Sequence, residues 1–357
     1  MKKVRLLDLG SVSPLRSQTM YHAVAYAMTP DTPDTIILIN SNQPYVCIGY
    51  HQNMAKEVDL DYCQEHDLQV YRREVGGGAV YLDDGQVFTQ WLFQPGSLPA
   101  SLEDRFEIYI KPLVDTYQAL GVNAVHRPIN DIHVNGKKIG GTGAAQIGQA
   151  DAVVGSLMFG FDKATMAKVL KVPSEKMRDK IFESLEQYMT TMDELLDLKP
   201  DRQAVKDLYI QKVAETLGVE IVPGEWTAQE EAMAAELDAR FTSEEWLHQK
   251  GGLRQVGVKI HEDVRVMEAA FKAPGGLIRV NLRLVAGKID DLSISGDFTI
   301  FPSSAIGSLE DALRGLSAGR DALLARIEEL YASLKLQSPG VTADDFVTAI
   351  INATSEA

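Results

Sequence analysis

The sequence predicts an α/β (α+β) protein: a large domain with a mixed sheet flanked by helices, followed by a smaller α+β domain. Three observations carry this. Short β-rich runs interleave with helical stretches over some 200 residues, and the text turns helical from about 164 to 250. A new alternating register then begins after Gly251-Gly252. At 357 residues the chain also exceeds one ordinary core, so two domains are expected, 1–250 and 251–357.

The elements follow in order. "MKKVRLLDLGSVS" has an apolar stretch broken by Arg5 and Asp8, which makes it a first strand rather than a signal peptide. Residues 17–28, "SQTMYHAVAYAM", carry apolar positions at helical spacing and are stopped by Pro30. Strands are predicted at "TIILIN" (35–40), "YVCIGY" (45–50), "LQVYRR" (68–73), "VFTQWLFQ" (87–94) and "DAVVGSLMFGF" (151–161). "FEIYIKPLVDTYQALG" (106–121) reads as a helix ended by Gly121. "NDIHVNGKKIGGTG" (130–143) reads as a hairpin turning at Asn135-Gly136. Beyond 250, Val280, Leu282 and Leu284 alternate on one face, the pattern breaks at Ala286-Gly287, and it resumes with Ile289, Leu292 and Ile294: another hairpin. In "RDALLARIEELYASLK" (320–335), Leu323, Ile327, Leu330, Tyr331 and Leu334 form one helical stripe for core packing.

Composition narrows the functions. A net charge of −15 and a pI near 4.9 argue against a nucleic-acid or anionic-membrane partner. Two cysteines, Cys47 and Cys63, make neither a disulfide framework nor a four-thiolate zinc site, and Cys47 within "YVCIGY" reads as a buried small hydrophobe. The seven histidines show no close ligand spacing. No run approaches the length of a membrane-spanning helix, so a cytoplasmic protein without a membrane partner is expected.

Two stretches could carry chemistry. In "RREVGGGAVYLDDGQ" (72–86), Gly76, Gly77 and Gly78 follow a predicted strand and would let backbone N–H groups approach an anion closely. Arg72 and Arg73 supply planar donor forks; on a strand they point to opposite faces, so at most one reaches a ligand. Neither the P-loop nor the dinucleotide glycine pattern is present. The 130–143 stretch places Asn130 and Asp131 at one end and Lys137 and Lys138 beside Gly140 and Gly141 at the other. One lysine should face solvent and the other the site, where it suits a developing phosphoryl charge, and Asp131 could hold Mg²⁺. From the residues alone, a tight turn and a solvated Lys-Lys hairpin explain these stretches equally well.

Taken together, R-R-x-x-G-G-G-x-V-Y-x-D-x-G followed about fifty residues later by N-D-x-x-x-N-G-K-K-I-x-G resembles the lipoate–protein ligase A family. "PYVCIGYHQN" (44–53) looks like that family's P-x-V-x-I-G-x-x-Q-N segment, and "KIDDLSISGDF" with "LEDALRG" is similar to the C-terminal accessory domain of its longer members. The resemblance implies a catalytic domain at 1–250, an accessory domain at 251–357 and a two-step reaction. ATP and lipoate give lipoyl-adenylate and pyrophosphate, and the lipoyl group then passes to a lysine of an acceptor domain. The implied acceptors are a dehydrogenase-complex acyltransferase subunit, the glycine-cleavage H protein, or a related lipoate-binding protein such as those of sulfur oxidation. Carried over, Arg73 and Gly78, Ala79, Val80 and Tyr81 would contact the nucleotide, with Gly76 and Gly77 shaping the loop. Arg72, Asp83, Gly140 and Gly141 would line the nucleotide and lipoate site. Lys138 would contact both the lipoyl carboxylate and the α-phosphate, and Asp131, with Asn130, would sit at the adenylate and magnesium.

The sequence departs from the family at several points. The family's Y-H-D-x-G-N reads Tyr81-Leu82-Asp83-Asp84-Gly85-Gln86, Tyr50 stands where an Arg often follows I-G, and no cation occurs between Lys138 and Lys163. Rival readings are an octanoyl or lipoyl transferase of the same fold, which needs a cysteine nucleophile, and a non-catalytic lipoate-binding protein. The biotin ligase loop G-R-G-R-x-x-R is absent.

Overall fold

Alternate residues of one central strand, Gln86–Phe93, reach opposite layers. Thr89 and Trp91 meet Tyr109 and Tyr209, with the Trp91 indole donating to the Tyr209 hydroxyl at 3.0 Å, whereas Gln90 donates to the Ser17 carbonyl on the other side. That two-residue period is why the strand is buried along its whole length and the sheet carries helices on both faces. Trp91 is fully buried, and truncating such an aromatic to alanine costs about 3–5 kcal/mol.

The computed structural model describes residues 1–253 and 264–355, and the chain divides into two units. The first comprises Met1–Cys47, Val58–Tyr71 and Val80–Ser243; the second comprises Ile48–Glu57, Arg72–Ala79 and Glu244–Ala357.

The first unit is built on a six-stranded mixed sheet in the order Gly143–Ile147, Ala150–Met158, Gln86–Phe93, Thr35–Ser41, Lys3–Val12, Glu220–Pro223. The first three pairings are antiparallel and the last two parallel. Helix Pro14–Tyr26 packs against Ala228–Phe241, and Leu102–Ala119 against Arg202–Leu217. A separate hairpin, Asp131–Val134 and Lys137–Gly141, turns at Asn135-Gly136 with φ of 51° and 83°, the left-handed pair that a two-residue hairpin turn requires. Strand Ala124–Arg127 extends it to three strands.

The expected α/β architecture is therefore present, with differences at element ends. The first helix begins at Pro14 rather than at 17, because Pro14 suits the first helical turn and the Ser13 hydroxyl caps it. The next long helix begins at Leu102 rather than 106, capped by Ser101. The strand Glu220–Pro223 lies within the stretch read as helical; a parallel edge strand of four residues leaves little periodicity to find.

The second unit holds a three-stranded antiparallel sheet, Val264–Ala273, Gly276–Val285 and Lys288–Gly296, with helices Ala305–Leu313, Arg320–Leu334 and Ala343–Ser355. Val280, Leu282, Ile289, Leu292 and Ile294 are buried with Phe298, Leu309, Leu323, Ile327 and Phe346 in one core. The uneven step from Ile289 to Leu292 has a cause: Asp290 is an extra residue opposite Arg283–Leu284, and this bulge restores the inward phase of Leu292. Of the expected helical stripe, Leu323 and Ile327 are buried and Leu330 and Tyr331 pack at the core's margin. Leu334 is exposed, one residue before the left-handed Lys335 that ends the helix.

Candidate active site

Two groups of sequence-predicted residues fall into different units. Asp131, Lys138, Gly140, Gly141, Asn130, Val80, Tyr81 and Asp83 lie in the first; Arg72, Arg73, Gly76, Gly77, Gly78 and Ala79 lie in the second.

In the first unit the 131–141 hairpin contains a bulge. His133 pairs with Lys138 and Ile132 with Gly140, so Ile139 is the extra residue and its side chain is buried. The bulge shifts the phase of the strand, and Lys138 and Gly141, three apart, come to the same face as Asp131. Lys138 Nζ lies 2.8 Å from Asp131 Oδ1, and His133 Nε2 lies 3.8 Å from Asp131 Oδ2. A Cβ on Gly141 would stand 3.0 Å from Lys138 Nζ and 3.4 Å from Asp131 Oδ1, so the missing side chain is what leaves room for the pair. The Lys138 side chain is 39% exposed, which leaves the ammonium within reach of a ligand. Lys137 turns the other way and donates to the Glu186 carbonyl at 3.1 Å. The Lys138 carbonyl accepts the Thr190 N–H at 2.9 Å, anchoring the strand from behind. Asn130 closes the open end of the hairpin: its amide donates to the Thr142 carbonyl, and its own carbonyl accepts the Thr142 N–H and hydroxyl.

Val80 and Tyr81 occupy the strand Val80–Leu82, which pairs with Tyr45–Cys47. Asp83 accepts the Gly85 N–H at 2.8 Å. Burial, helped by the neighbouring Asp84 and Asp162, pushes its carboxyl above the ordinary range; burial and then Asp83 push the Tyr81 phenol up.

In the second unit the glycine loop curls around Arg73. One guanidinium nitrogen donates to the carbonyls of Gly76 and Gly78, 2.9 Å each. Gly77 has φ of +97°, a conformation that L side chains rarely adopt. A Cβ on Gly76 would meet the Phe298 carbonyl at 2.9 Å, and the Gly77 N–H points to that same carbonyl at 3.5 Å. Arg72 is fully buried and gives its guanidinium to backbone carbonyls.

Sequence reasoning missed three contributors. Gly49, inside "YVCIGY", has no room for a side chain, because a Cβ would fall 1.9 Å from the Gly77 carbonyl oxygen. The I-G step was its only signal. Trp246 donates its indole N–H to the Arg72 carbonyl at 3.0 Å, a contact across 174 residues that no local pattern announces. His133 joins Asp131 only through strand parity.

Among the described residues no group of three or more His, Cys, Asp or Glu could hold a metal ion. Asp131 offers one carboxylate, with one oxygen engaged by Lys138. Such a site fits a magnesium ion carried on a ligand's phosphates, not a cage of protein ligands. Among the described residues, no helix is long and apolar enough to cross a membrane.

The family model for the lipoyl protein ligase A/B catalytic domain matches residues 14–214, more than half the chain and including both the glycine loop and the Lys138 hairpin. The chain belongs to the lipoyl protein ligase A/B family. The model for the bacterial lipoate protein ligase C-terminus matches residues 267–350, so the resemblance read from both halves of the sequence holds. Lipoate-protein ligase LplJ of Bacillus subtilis is 26% identical over 322 residues, 90% of this chain and 92% of its own. Octanoyltransferase LipM of Kyrpidia tusciae is 27% identical over 277 residues, 70% of this chain and 100% of its own. Among solved structures, the bi-partite lipoate protein ligase of Thermoplasma acidophilum, described with its E2 lipoyl domain, aligns with a TM-score of 0.64 at 28% identity. It covers 72% of this chain and 100% of that one. A lipoate-protein ligase A bound with ATP aligns with a TM-score of 0.60 at 25% identity, covering 70% of this chain and 99% of that one. The family is one of enzymes, and its members matched here include both ligases and an octanoyltransferase.

Proposed function

We propose that this protein is an ATP-dependent lipoate–protein ligase of the cytoplasm, acting on a lysine of a lipoyl-acceptor domain. The observation that carries the reading is the Lys138–Asp131 pair, an oriented and part-exposed ammonium on a face cleared by Gly141. The lipoate carboxylate attacks the α-phosphorus of ATP, a C–O–P link forms, and pyrophosphate leaves. Both reactants are anions, and two unit charges about 4 Å apart repel by roughly 4 kcal/mol at an effective dielectric near 20. An ammonium between them removes that repulsion and holds the groups in line. Asp131 holds the Lys138 amine in place and Asn130 fixes the hairpin end. Within the second unit, the bare backbone of Gly76–Gly78 with Arg73 is suited by itself to a nucleotide's phosphates. Magnesium on the phosphates, met by Asp131, would neutralise the departing pyrophosphate. In the second step the acceptor's amine attacks the acyl carbon, the bond from that carbon to the phosphate oxygen breaks and its electron pair leaves with AMP, and the amine's proton passes to solvent.

Transfer through a thioester is disfavoured by the chain's cysteines. Cys47 and Cys63 are both buried, and burial, then Asp59, pushes the Cys63 thiol up to about 11. A thiolate nucleophile needs the opposite environment. Relatives that follow this chain through its C-terminal part, such as LplJ, support ligation as well. The test is incubation with ATP, Mg²⁺ and lipoate, octanoate or biotin, with acyl-AMP read by mass spectrometry. Lipoyl-AMP is expected. Product with biotin alone would overturn the substrate, and lipoate binding without pyrophosphate release would make the protein a non-catalytic binder.

A further inference from the structure

We infer that Arg72 is a positioning residue: it sets the shape of the glycine loop from behind and does not itself touch the ligand. Five hydrogen bonds define its role. Nε donates to the Trp246 carbonyl at 3.1 Å; Nη1 donates to those of Gly49, Tyr50 and Gln52 at 3.2, 2.9 and 2.6 Å; Nη2 donates to that of Leu247 at 2.6 Å. Guanidinium is the side chain suited to this, with five N–H donors in a fixed fork. The residue has no exposed surface, so these carbonyls stand around its guanidinium where water would otherwise be.

These bonds lead to the loop. Gly49 and Tyr50, whose carbonyls Arg72 holds, are two of the residues against which the loop rests. Gly49 abuts the Gly77 carbonyl too closely for any Cβ, and the Tyr50 N–H donates to the Val75 carbonyl at 3.1 Å. The Trp246 indole returns a hydrogen bond to the Arg72 carbonyl, so 49–52, 72 and 246–247 lock into one cluster. Strand alternation assigns the two arginines different tasks: Arg73 fills the inside of the curl, and Arg72 fixes the wall behind it. Only the identity of the affected substrate rests on the function proposed above.

The test compares Arg72→Lys, Trp246→Phe and the double variant in the full chain. Positioning predicts that the KM for ATP rises about tenfold or more in Arg72→Lys, with kcat and the KM for lipoate little changed. Trp246→Phe, which removes the indole N–H that donates to the Arg72 carbonyl, should give the same pattern more weakly. The double variant should show less than the product of the two effects, because they act through one cluster. Without any ligand, the amides of Gly76–Gly78 should exchange with solvent about tenfold faster in both single variants. Unchanged exchange and KM in folded Arg72→Lys overturn the inference. A silent Trp246→Phe, or a double variant showing the full product of two single effects, overturns it in favour of direct ligand contact. If Arg72→Lys does not fold, loop exchange in Trp246→Phe decides alone. If the wild type forms no adenylate, the proposed function fails while loop exchange still tests the role of Arg72.

Discussion

The Lys138 ammonium stands 2.8 Å from the Asp131 carboxylate because one residue, Ile139, is extra in its strand. Remove that phase shift and Lys138 and Gly141 could not share a face with Asp131. Lys138→Ala should therefore abolish adenylate formation, cutting pyrophosphate release by roughly 10²–10³-fold, the scale for losing one charge-stabilising donor. Stability should change by under about 1 kcal/mol, since an ion pair this exposed contributes little to folding. Wild-type pyrophosphate release by the variant would refute the role given to this lysine.

Gly141→Ala tests the room around the pair. The new Cβ would stand 3.0 Å from Lys138 Nζ, the far end of a flexible chain that can yield, so folding should survive. The lysine would yield by leaving its place beside Asp131. About a tenfold loss of kcat with an unchanged urea midpoint is expected. Gly140→Ala, whose Cβ meets Ile132 at an ordinary 3.4 Å, should lose less. Equal losses at both positions would remove the argument for Gly141.

Gly49→Ala is the sharper steric case. Its Cβ would lie 1.9 Å from a backbone oxygen, and backbone cannot swing aside as a lysine tip can. A destabilisation of about 1–3 kcal/mol, the usual cost of overpacking, is expected together with weaker ATP binding. A variant with wild-type stability and ATP affinity would show that Gly49 and Gly77 do not need this close approach.

The cysteines separate ligation from transfer. Cys47→Ala with Cys63→Ala should leave lipoyl-AMP formation and delivery to the acceptor intact, at the cost of some stability from the buried thiols. Loss of acyl delivery with retained folding would point to a thioester and to transfer.

Much of this was legible in the sequence, and the illegible part has physical reasons. The hairpin at Asn135-Gly136 and the small sheet's turn at Ala286-Gly287 were visible because each turn needs two residues with positive φ. The uneven spacing of Ile289, Leu292 and Ile294 was in plain view, but only pairing shows that Asp290 is a bulge. Lys137 and Lys138 were expected to diverge, and they do; which of them meets Asp131 depends on Ile139, which alternation alone does not reveal. The membership of Arg72–Ala79 in the second unit and the Arg72–Trp246 contact arise from chain segments distant in sequence. Local periodicity carries no information about such contacts.

Two buried histidines, one in each unit, make stability depend on pH. Burial pulls His22 down to about 3, with Arg240 adding to the shift and a hydrogen bond to the Gln18 carbonyl opposing it. His51, stacked on Phe298 with ring centroids 5.2 Å apart, is also pulled down to about 3 by burial, then by Lys250 and Arg72. An unfolded histidine titrates near 6.5. Above that pH both states are neutral and neither residue disfavours folding. As pH falls from about 6.5 toward 3 the unfolded chain takes up protons that the folded chain refuses, so stability is lost with acid. The slope is at most about 1.4 kcal/mol per pH unit for each histidine. Urea midpoints should thus be level above pH 7 and fall between pH 6.5 and 5, before most carboxylates titrate. His51→Phe, which keeps a ring against Phe298, should flatten that fall by about half. A wild-type midpoint that stays level down to pH 5 would mean that neither imidazole is held neutral by its surroundings.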